Sequence, residues 1–141
     1  MFLPFGKFLL IPALVTSVPL QAADSPTVEE LATLLRVLTT QAGFAGRIAC
    51  RDLDMTVQLK KVGLSTDYRS SIAWAATADQ ARAYRAEGKF VVCADPALFK
   101  DGAAMAIVRE NGQMGLVLHA ANSQSTGVTL SDAILKVAKR V

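Results

Sequence analysis

The chain has 141 residues, of which 52% are hydrophobic and 19% charged, with 15 basic against 12 acidic side chains. The formal net charge of +3 is spread over most of the chain. This is too little for a nucleic-acid-binding protein, which usually clusters cations on one face. The length is that of one ordinary domain, so we expect a single globular unit and no nucleic acid among its partners.

The N-terminus has the layout of a secretory signal peptide. Lys7 supplies an early cation, an apolar core runs from Phe8 to Leu20, and a small residue follows at Ala22. The alternative is an uncleaved membrane anchor, but the apolar stretch is short and Pro12 interrupts it. We therefore expect residues 1–22 to be removed on export to the periplasm.

Cleavage after residue 22 would remove 22 of the 141 residues and leave 119, which are residues 23–141. No later stretch is long and apolar enough to span a bilayer. The mature protein is therefore expected to be one periplasmic domain that does not span the membrane.

Helices and strands alternate after the polar joint ADSPT. Thr27 and Glu30 form a capping box that begins a helix, which is predicted to end at Gly43. RIAC, from Arg47, predicts a short buried strand. Asp52 is a suitable N-cap for a helix over the following LDMTVQLKKVGLS.

The next elements continue the alternation. SSIAWAAT, residues 70–77, predicts a second strand, and Thr77 caps the clearest helix, TADQARAYRAEGK, which Gly88 closes. KFVVCAD, residues 89–95, predicts a strand covered on both faces, because its middle is continuously apolar. Strands separated by helices of this length imply right-handed crossovers and a largely parallel sheet.

The C-terminal third has a different pattern. Two apolar runs meet around Glu110, Asn111 and Gly112, which predicts an antiparallel hairpin that extends the sheet. Ser131 is a suitable N-cap for a terminal helix. Four apolar residues share one face of that helix: Ala133, Ile134, Val137 and Ala138. Three cations are placed near its C-terminal end: Lys136, Lys139 and Arg140. The predicted fold class is α/β, a small three-layer domain with a mostly parallel sheet, a C-terminal antiparallel hairpin and a terminal helix.

The two cysteines share one context, in which a basic residue and an apolar run precede the Cys, and one residue and an Asp follow. Two cysteines in an exported chain most often form a disulfide. Cys50 and Cys93 have attainable bridging geometry if their strands are neighbours in a parallel sheet. Two buried free thiols, or a reactive or metal-bound pair, are the alternatives.

Four other residues are candidates for ligand or partner binding. Asp52 and Asp95 follow strand ends, where open α/β sheets place ligand sites; alternatively, each caps the next helix or turn. Trp74 either anchors a partner or lies in the core. His119, the only histidine, is either part of a site or a packed, hydrogen-bonded residue at the rim of an apolar run.

No enzymatic motif accompanies these residues. The sequence has no Cys-x-x-Cys pair, no Gly-x-Ser-x-Gly nucleophile motif and no Gly-rich phosphate loop after a strand. The cysteines, His119 and the nearby aspartates lack the close paired spacing of zinc ligands. We therefore expect a protein that is not an enzyme and that uses no cofactor or metal.

The segment GAAMAIVRENGQMGLVLHAANSQSTGVTLSDAILKVAKRV, Gly102 to Val141, resembles the end of the YfiR-like family of periplasmic proteins. The shared features are a Gly-led strand, a Glu-x-Gly-type turn, a second strand, an Ala/Asn segment, a Gly-apolar step, a Ser cap and a Leu/Ala helix. The preceding AWAATADQARAYRAEGKFVVCADPALF, residues 73–99, is also similar to that family's run from strand through helix to strand.

The resemblance implies a non-enzymatic periplasmic repressor. Its partner would be the periplasmic part of a membrane-anchored diguanylate cyclase, so that the protein restrains cyclic-di-GMP synthesis and biofilm formation. The resemblance also implies a homodimer and a disulfide, in agreement with the pairing of Cys50 and Cys93. The alternative function is a periplasmic small-ligand-binding protein that uses the loops after the strands.

Overall fold

A computed structural model describes residues 25–41 and 44–141. The predicted signal peptide, residues 1–22, lies outside the described residues, as does the predicted helix end at Gly43. Within the described part, no helix has the length and apolar character needed to cross a membrane.

The first helix begins as its capping box predicts. Helix α1 spans Val28–Gln41. The Thr27 backbone N–H donates to Glu30 Oε1 at 2.9 Å, and the Glu30 backbone N–H donates to Thr27 Oγ1 at 3.1 Å. Each side chain therefore satisfies a backbone donor that the first helical turn leaves unpaired.

The predicted central elements are confirmed: the first strand has the predicted bounds, and the others are slightly shorter than their sequence patterns. They are β1 (Arg47–Cys50), α2 (Leu53–Lys61), β3 (Ile72–Trp74), α3 (Ala78–Ala86) and β4 (Phe90–Cys93). Two short elements were not predicted, namely strand β2 (Ser65–Thr66) and a 3₁₀ helix (Pro96–Asp101). Gly88 has φ 78°, a conformation that glycine adopts at little cost, and it follows α3 as predicted.

The predicted hairpin is also confirmed. Strands β5 (Met105–Glu110) and β6 (Gln113–Leu118) pair antiparallel. Asn111 and Gly112 have φ angles of 52° and 76°, as a two-residue type I′ connection requires.

The end of the chain differs from its prediction. Helix α4 (Ala120–Ser125) was not predicted, α5 is short (Asp132–Val137), and strand β7 (Ala138–Arg140) follows it. Ser131 caps α5 as expected, since the Ile134 N–H donates to its Oγ. Lys139 and Arg140 therefore lie in a strand rather than at a helix end, because β7 pairs in parallel with the free edge of β6.

The sheet has seven strands in the order β2-β1-β3-β4-β5-β6-β7, and every pair is parallel except β5–β6. Across the sheet, the step from β1 to β2 goes toward one edge, whereas the steps from β3 to β4 and from β4 to β5 go toward the other edge. Right-handed crossovers in opposite directions place their helices on opposite faces of a sheet. Accordingly, α2 packs on one face and α3 on the other. The predicted α/β class with a mostly parallel sheet is confirmed.

Alternating residues of the strands divide the core between these two faces. The face that we call face A carries large side chains and is covered by α1, α2 and α5; its strand residues include Ile48, Ile72, Trp74, Phe90, Val92, Met105 and Ile107. Face B carries small side chains and is covered by α3 and the 3₁₀ helix; its strand residues include Ala49, Ala73, Ala75, Val91, Cys93 and Ala106. Tyr84 of α3 is buried against face B.

A buried lysine holds the loop between β2 and β3, residues 67–71. Lys89 Nζ donates to the carbonyl oxygens of Tyr68 and Ser70, at 2.6 Å each. The Ser70 hydroxyl donates in turn to the carbonyl of Arg47 in β1, at 2.9 Å. This loop brings the chain back past β1, so that β1 lies between β2 and β3.

Candidate functional site

Both predicted aspartates are helix caps. Asp52 Oδ2 accepts the Met55 N–H at 2.9 Å and begins α2, whereas Asp95 Oδ1 accepts the Ala97 N–H at 2.9 Å and begins the 3₁₀ helix. The capping interpretation is therefore confirmed for both. The two residues follow strands β1 and β4 at the same edge of the sheet, but each carboxylate is used by the helix that it begins.

The repeated Cys-x-Asp sequence is one local structure used twice. The Cys93 thiol donates to the carbonyl of Asp95 at 3.2 Å, and the Cys50 thiol donates to the carbonyl of Asp52 at 3.5 Å. Burial raises the pKa of Cys50, and it raises the pKa of the more deeply buried Cys93 to about 11. Since the thiolate is the reactive form, the raised pKa makes both cysteines poor nucleophiles at neutral pH.

The predicted disulfide is contradicted by the structure, in which Cys50 and Cys93 are free. Strand β3 lies between their strands, which places the two cysteines about 9–10 Å apart, beyond the Cα separation that a bridge allows. Cys50 packs on face A and Cys93 on face B, so their side chains also point away from each other. The premise that the two strands are neighbours is wrong.

Trp74 and His119 are also structural. Trp74 is buried in the core on face A, and its indole N–H finds no acceptor among the described residues. His119 is the N-cap of α4, where its Nδ1 accepts the Asn122 N–H at 3.2 Å and its ring packs 5.2 Å from that of Phe99. His119 follows β6 toward the amino ends of the parallel strands, so it does not join Asp52 and Asp95.

The described part of the chain brings together no group of three or more His, Cys, Asp or Glu side chains that could hold a metal ion. The predicted site residues are thus distributed over two sheet edges and the core.

An apolar groove is the surface feature that stands out on face A. It lies between α1, α5 and β6, has a volume of about 190 Å³ and is lined by apolar residues: Leu34, Val37, Leu38, Met114, Gly115, Leu116, Ile134 and Val137. Val137 is 69% exposed and Val37 42%. Because α5 ends at Val137, the sheet beneath the groove is incompletely covered.

The two exposed valines of the groove have basic neighbours. Arg36 precedes Val37 and Lys136 precedes Val137, and both cations are exposed. Neither forms an ion pair with a described residue. The groove therefore combines an apolar floor with nearby positive charge that forms no ion pair within the described part of the chain.

Comparison with known proteins shows the fold. A crystal structure of a conserved domain protein from Vibrio cholerae O1 biovar El Tor has a TM-score of 0.56 and 13% sequence identity, and the match covers 82% of this chain and 60% of that one. The ABC domain in complex with L-Trp from Streptococcus pneumonia has a TM-score of 0.49 and 11% identity, over 74% of this chain and 61% of that one. This chain thus spans about three fifths of each solved structure. No family model matches it, and no curated protein does. At 13% identity, the likeness to the Vibrio protein concerns the fold alone.

The groove was missed by sequence reasoning. The sequence predicts Val137 on the apolar face of a longer terminal helix, where it would be covered. For the second apolar run of the hairpin, which contains Met114 and Leu116, it predicts only a strand. One signal was available: Val37 adds a fourth apolar residue to LLRVL, which makes the apolar surface of α1 wider than one buried stripe requires. The exposure of Val37 depends on where α5 ends, and the sequence pattern does not indicate the end of α5.

Proposed function

We propose that this protein is an exported, non-enzymatic regulator of the YfiR-like kind, which represses a membrane-anchored signalling protein of the diguanylate cyclase type by binding its periplasmic part. The observation that carries the proposal is the apolar groove between α1, α5 and β6. An exposed apolar surface rimmed by polar residues is typical of protein-binding sites.

The occupant that suits this groove is an apolar segment of the partner flanked by acidic side chains. Val37 and Val137 offer apolar area to such a segment, and burying a valine contributes roughly 1.5–3 kcal/mol. Arg36 and Lys136 would pair with the flanking acids and mainly increase the association rate and specificity. The resemblance of residues 73–99 and 102–141 to YfiR-like proteins supports the identity of the partner class.

Site-specific photo-cross-linking in the envelope tests the proposal. A photoreactive residue replaces Val137 in the full chain, and a matched variant carries it at Val57 of α2, which is 53% exposed and lies outside the groove. We expect position 137, and not position 57, to capture a membrane-anchored cyclase-type protein through an apolar segment with acidic flanks. Val37→Asp introduced beside the probe should reduce the captured amount at least about tenfold, as the loss of a central interface side chain does.

Three outcomes contradict the proposal: no membrane protein is captured, both positions capture the same proteins, or position 137 captures only a second copy of this chain. Circular dichroism and thermal unfolding of each variant establish that the substitutions leave the fold intact.

A further inference from the structure

A second cavity lies between α4, α5 and the paired strands β6 and β7. It has a volume of about 300 Å³, which is at the lower end of the range for small-ligand sites. The cavity and the apolar groove share no lining residue. Its lining combines aliphatic with polar side chains: Leu118, Val128, Leu130 and Leu135 with Ser123, Gln124, Thr129 and Arg140.

The aliphatic part of the lining is continuous with the core on face A. Leu118 of β6 and Leu130 are buried, with exposed fractions of 4% and 8%. Val128 and Leu135 pack against the same core and remain partly exposed. A ligand that covers these side chains removes apolar area from water, which favours binding. The aliphatic lining therefore suits the short apolar chain of a ligand.

Ser123 of α4 places an unpartnered hydroxyl in the lining. The residue is 8% exposed, and its carbonyl accepts from Thr126 Oγ1 at 2.7 Å, but its own Oγ forms no hydrogen bond with a described residue. The unpartnered side-chain atoms that the described structure shuts off from solvent belong to Trp74, Tyr84, Asp101 and Arg109. The Ser123 hydroxyl is not one of these, so a ligand in the cavity can reach it.

Arg140 of β7 supplies a positive charge to the same cavity. It is paired with Leu118 in the register of β6 and β7, and residues opposite each other in neighbouring strands point to the same face of a sheet. Arg140 is exposed and forms no ion pair with a described residue. Its guanidinium is therefore available to an anionic group that lies against Leu118.

The lining also limits which charge a ligand can carry. No Asp or Glu side chain is among the described residues that line the cavity, so an ammonium group would find no acidic side chain to pair with there. One guanidinium suits a singly charged anion better than a doubly charged phosphate. A carboxylate fits the guanidinium with two parallel hydrogen bonds, and its oxygens can also accept from a serine hydroxyl. The polar end of the ligand is therefore expected to be a carboxylate.

From these observations we infer that the cavity binds a small monocarboxylate with a short aliphatic chain. The carboxylate pairs with the guanidinium of Arg140 and accepts a hydrogen bond from the Ser123 hydroxyl. The chain lies against the aliphatic lining between β6 and α5. This inference is independent of the groove and of the proposed regulator, because the two sites have no lining residue in common.

Three probes test the inference, namely hexanoate, hexanol and acetate. Hexanol keeps the chain without the charge, and acetate keeps the carboxylate without the chain. Binding to the mature protein is followed by isothermal titration calorimetry and by NMR shifts of the Leu118 and Leu130 methyl groups. We expect hexanoate to bind at least about tenfold more tightly than hexanol, which lacks the hydrogen bonds to a charged group. It should exceed acetate by a similar factor or more, because acetate leaves the aliphatic lining uncovered.

Two variants, each with a control, assign the groups. Arg140→Gln should weaken hexanoate binding at least about tenfold, while Lys139→Gln should leave it unchanged, because Lys139 is paired with Val117 of face B. Ser123→Ala should weaken binding by roughly threefold or more, and Ser125→Ala, on the same helix but outside the lining, should not. Thermal unfolding of each variant separates loss of binding from loss of fold. The inference is overturned if hexanoate does not bind, if hexanol or acetate binds equally well, or if either Arg140→Gln or Ser123→Ala binds like the wild type.

Discussion

Replacing Lys89 with Met tests how the sheet acquires its strand order. Lys89 is 8% exposed, and its ammonium donates to the carbonyls of Tyr68 and Ser70 in the loop between β2 and β3. Met keeps most of the apolar stem but removes both bonds. The two carbonyls then lose the donor that holds the loop against the start of β4.

The size of the effect follows from these contacts. Hydrogen bonds to a charged donor contribute about 1.5–3 kcal/mol each, so two of them amount to roughly 3–6 kcal/mol. Removing a buried ammonium relieves its desolvation and offsets part of that loss, and the ion pair with half-exposed Glu87 adds little. We expect the free energy of unfolding to fall by about 2–4 kcal/mol, a large share of the 5–15 kcal/mol typical of a domain.

Urea unfolding of the mature protein, followed by circular dichroism, measures this change. Lys61→Met is the matched control, because Lys61 is exposed at the end of α2, and it should change stability by less than about 1 kcal/mol. A Lys89→Met variant as stable as the control would refute the reasoning that this lysine fixes the loop.

Three further predictions concern the caps and the thiols. Asp52→Ala and Asp95→Ala should each cost about 1 kcal/mol in urea unfolding and leave envelope cross-linking unchanged; loss of cross-linking would make either aspartate part of the partner site. Burial should make Cys93 slower than half-buried Cys50 in alkylation at pH 8, as intact mass measures; equal rates would contradict the raised pKa of Cys93. Hydrogen bonding from the Thr27 N–H and the charge of Arg109 lower the pKa of Glu30 below 4.5. Glu30 therefore stabilises the fold above that pH, and the contribution is lost as pH falls through its folded pKa. Glu30→Gln should reduce the difference between the urea midpoints at pH 7 and pH 3, and an unchanged difference would refute this.

Local chemistry made much of the fold predictable. The Thr27–Glu30 capping box, the caps at Asp52 and Thr77 and the Asn111–Gly112 turn each act through bonds or backbone angles within a few residues. The three helices that these caps begin, and the hairpin that this turn connects, are found at the predicted positions. Strand β2 was not predicted because it consists only of Ser65 and Thr66, both exposed, and therefore has no apolar pattern.

The features that the sequence did not indicate depend on distant contacts. AILKVAKRV fits a helix, yet residues 138–140 pair with β6 because that strand offers an unpaired edge. The disulfide prediction required β1 and β4 to be neighbours, and the loop held by Lys89 places β3 between them instead. The groove likewise depends on how α1, α5 and β6 meet, which no local pattern encodes.

The proposed repression of a cyclase through the groove is tested most directly by the cellular level of cyclic-di-GMP. The level is compared in the native host between the wild type, a deletion strain and strains carrying Val137→Asp or the control Val57→Asp at the chromosomal locus, with protein amounts matched by immunoblot. Deletion and Val137→Asp should raise cyclic-di-GMP to a similar level, while Val57→Asp should leave it at the wild-type level. An unchanged level in the deletion strain, or normal repression by Val137→Asp, would contradict the proposed repression.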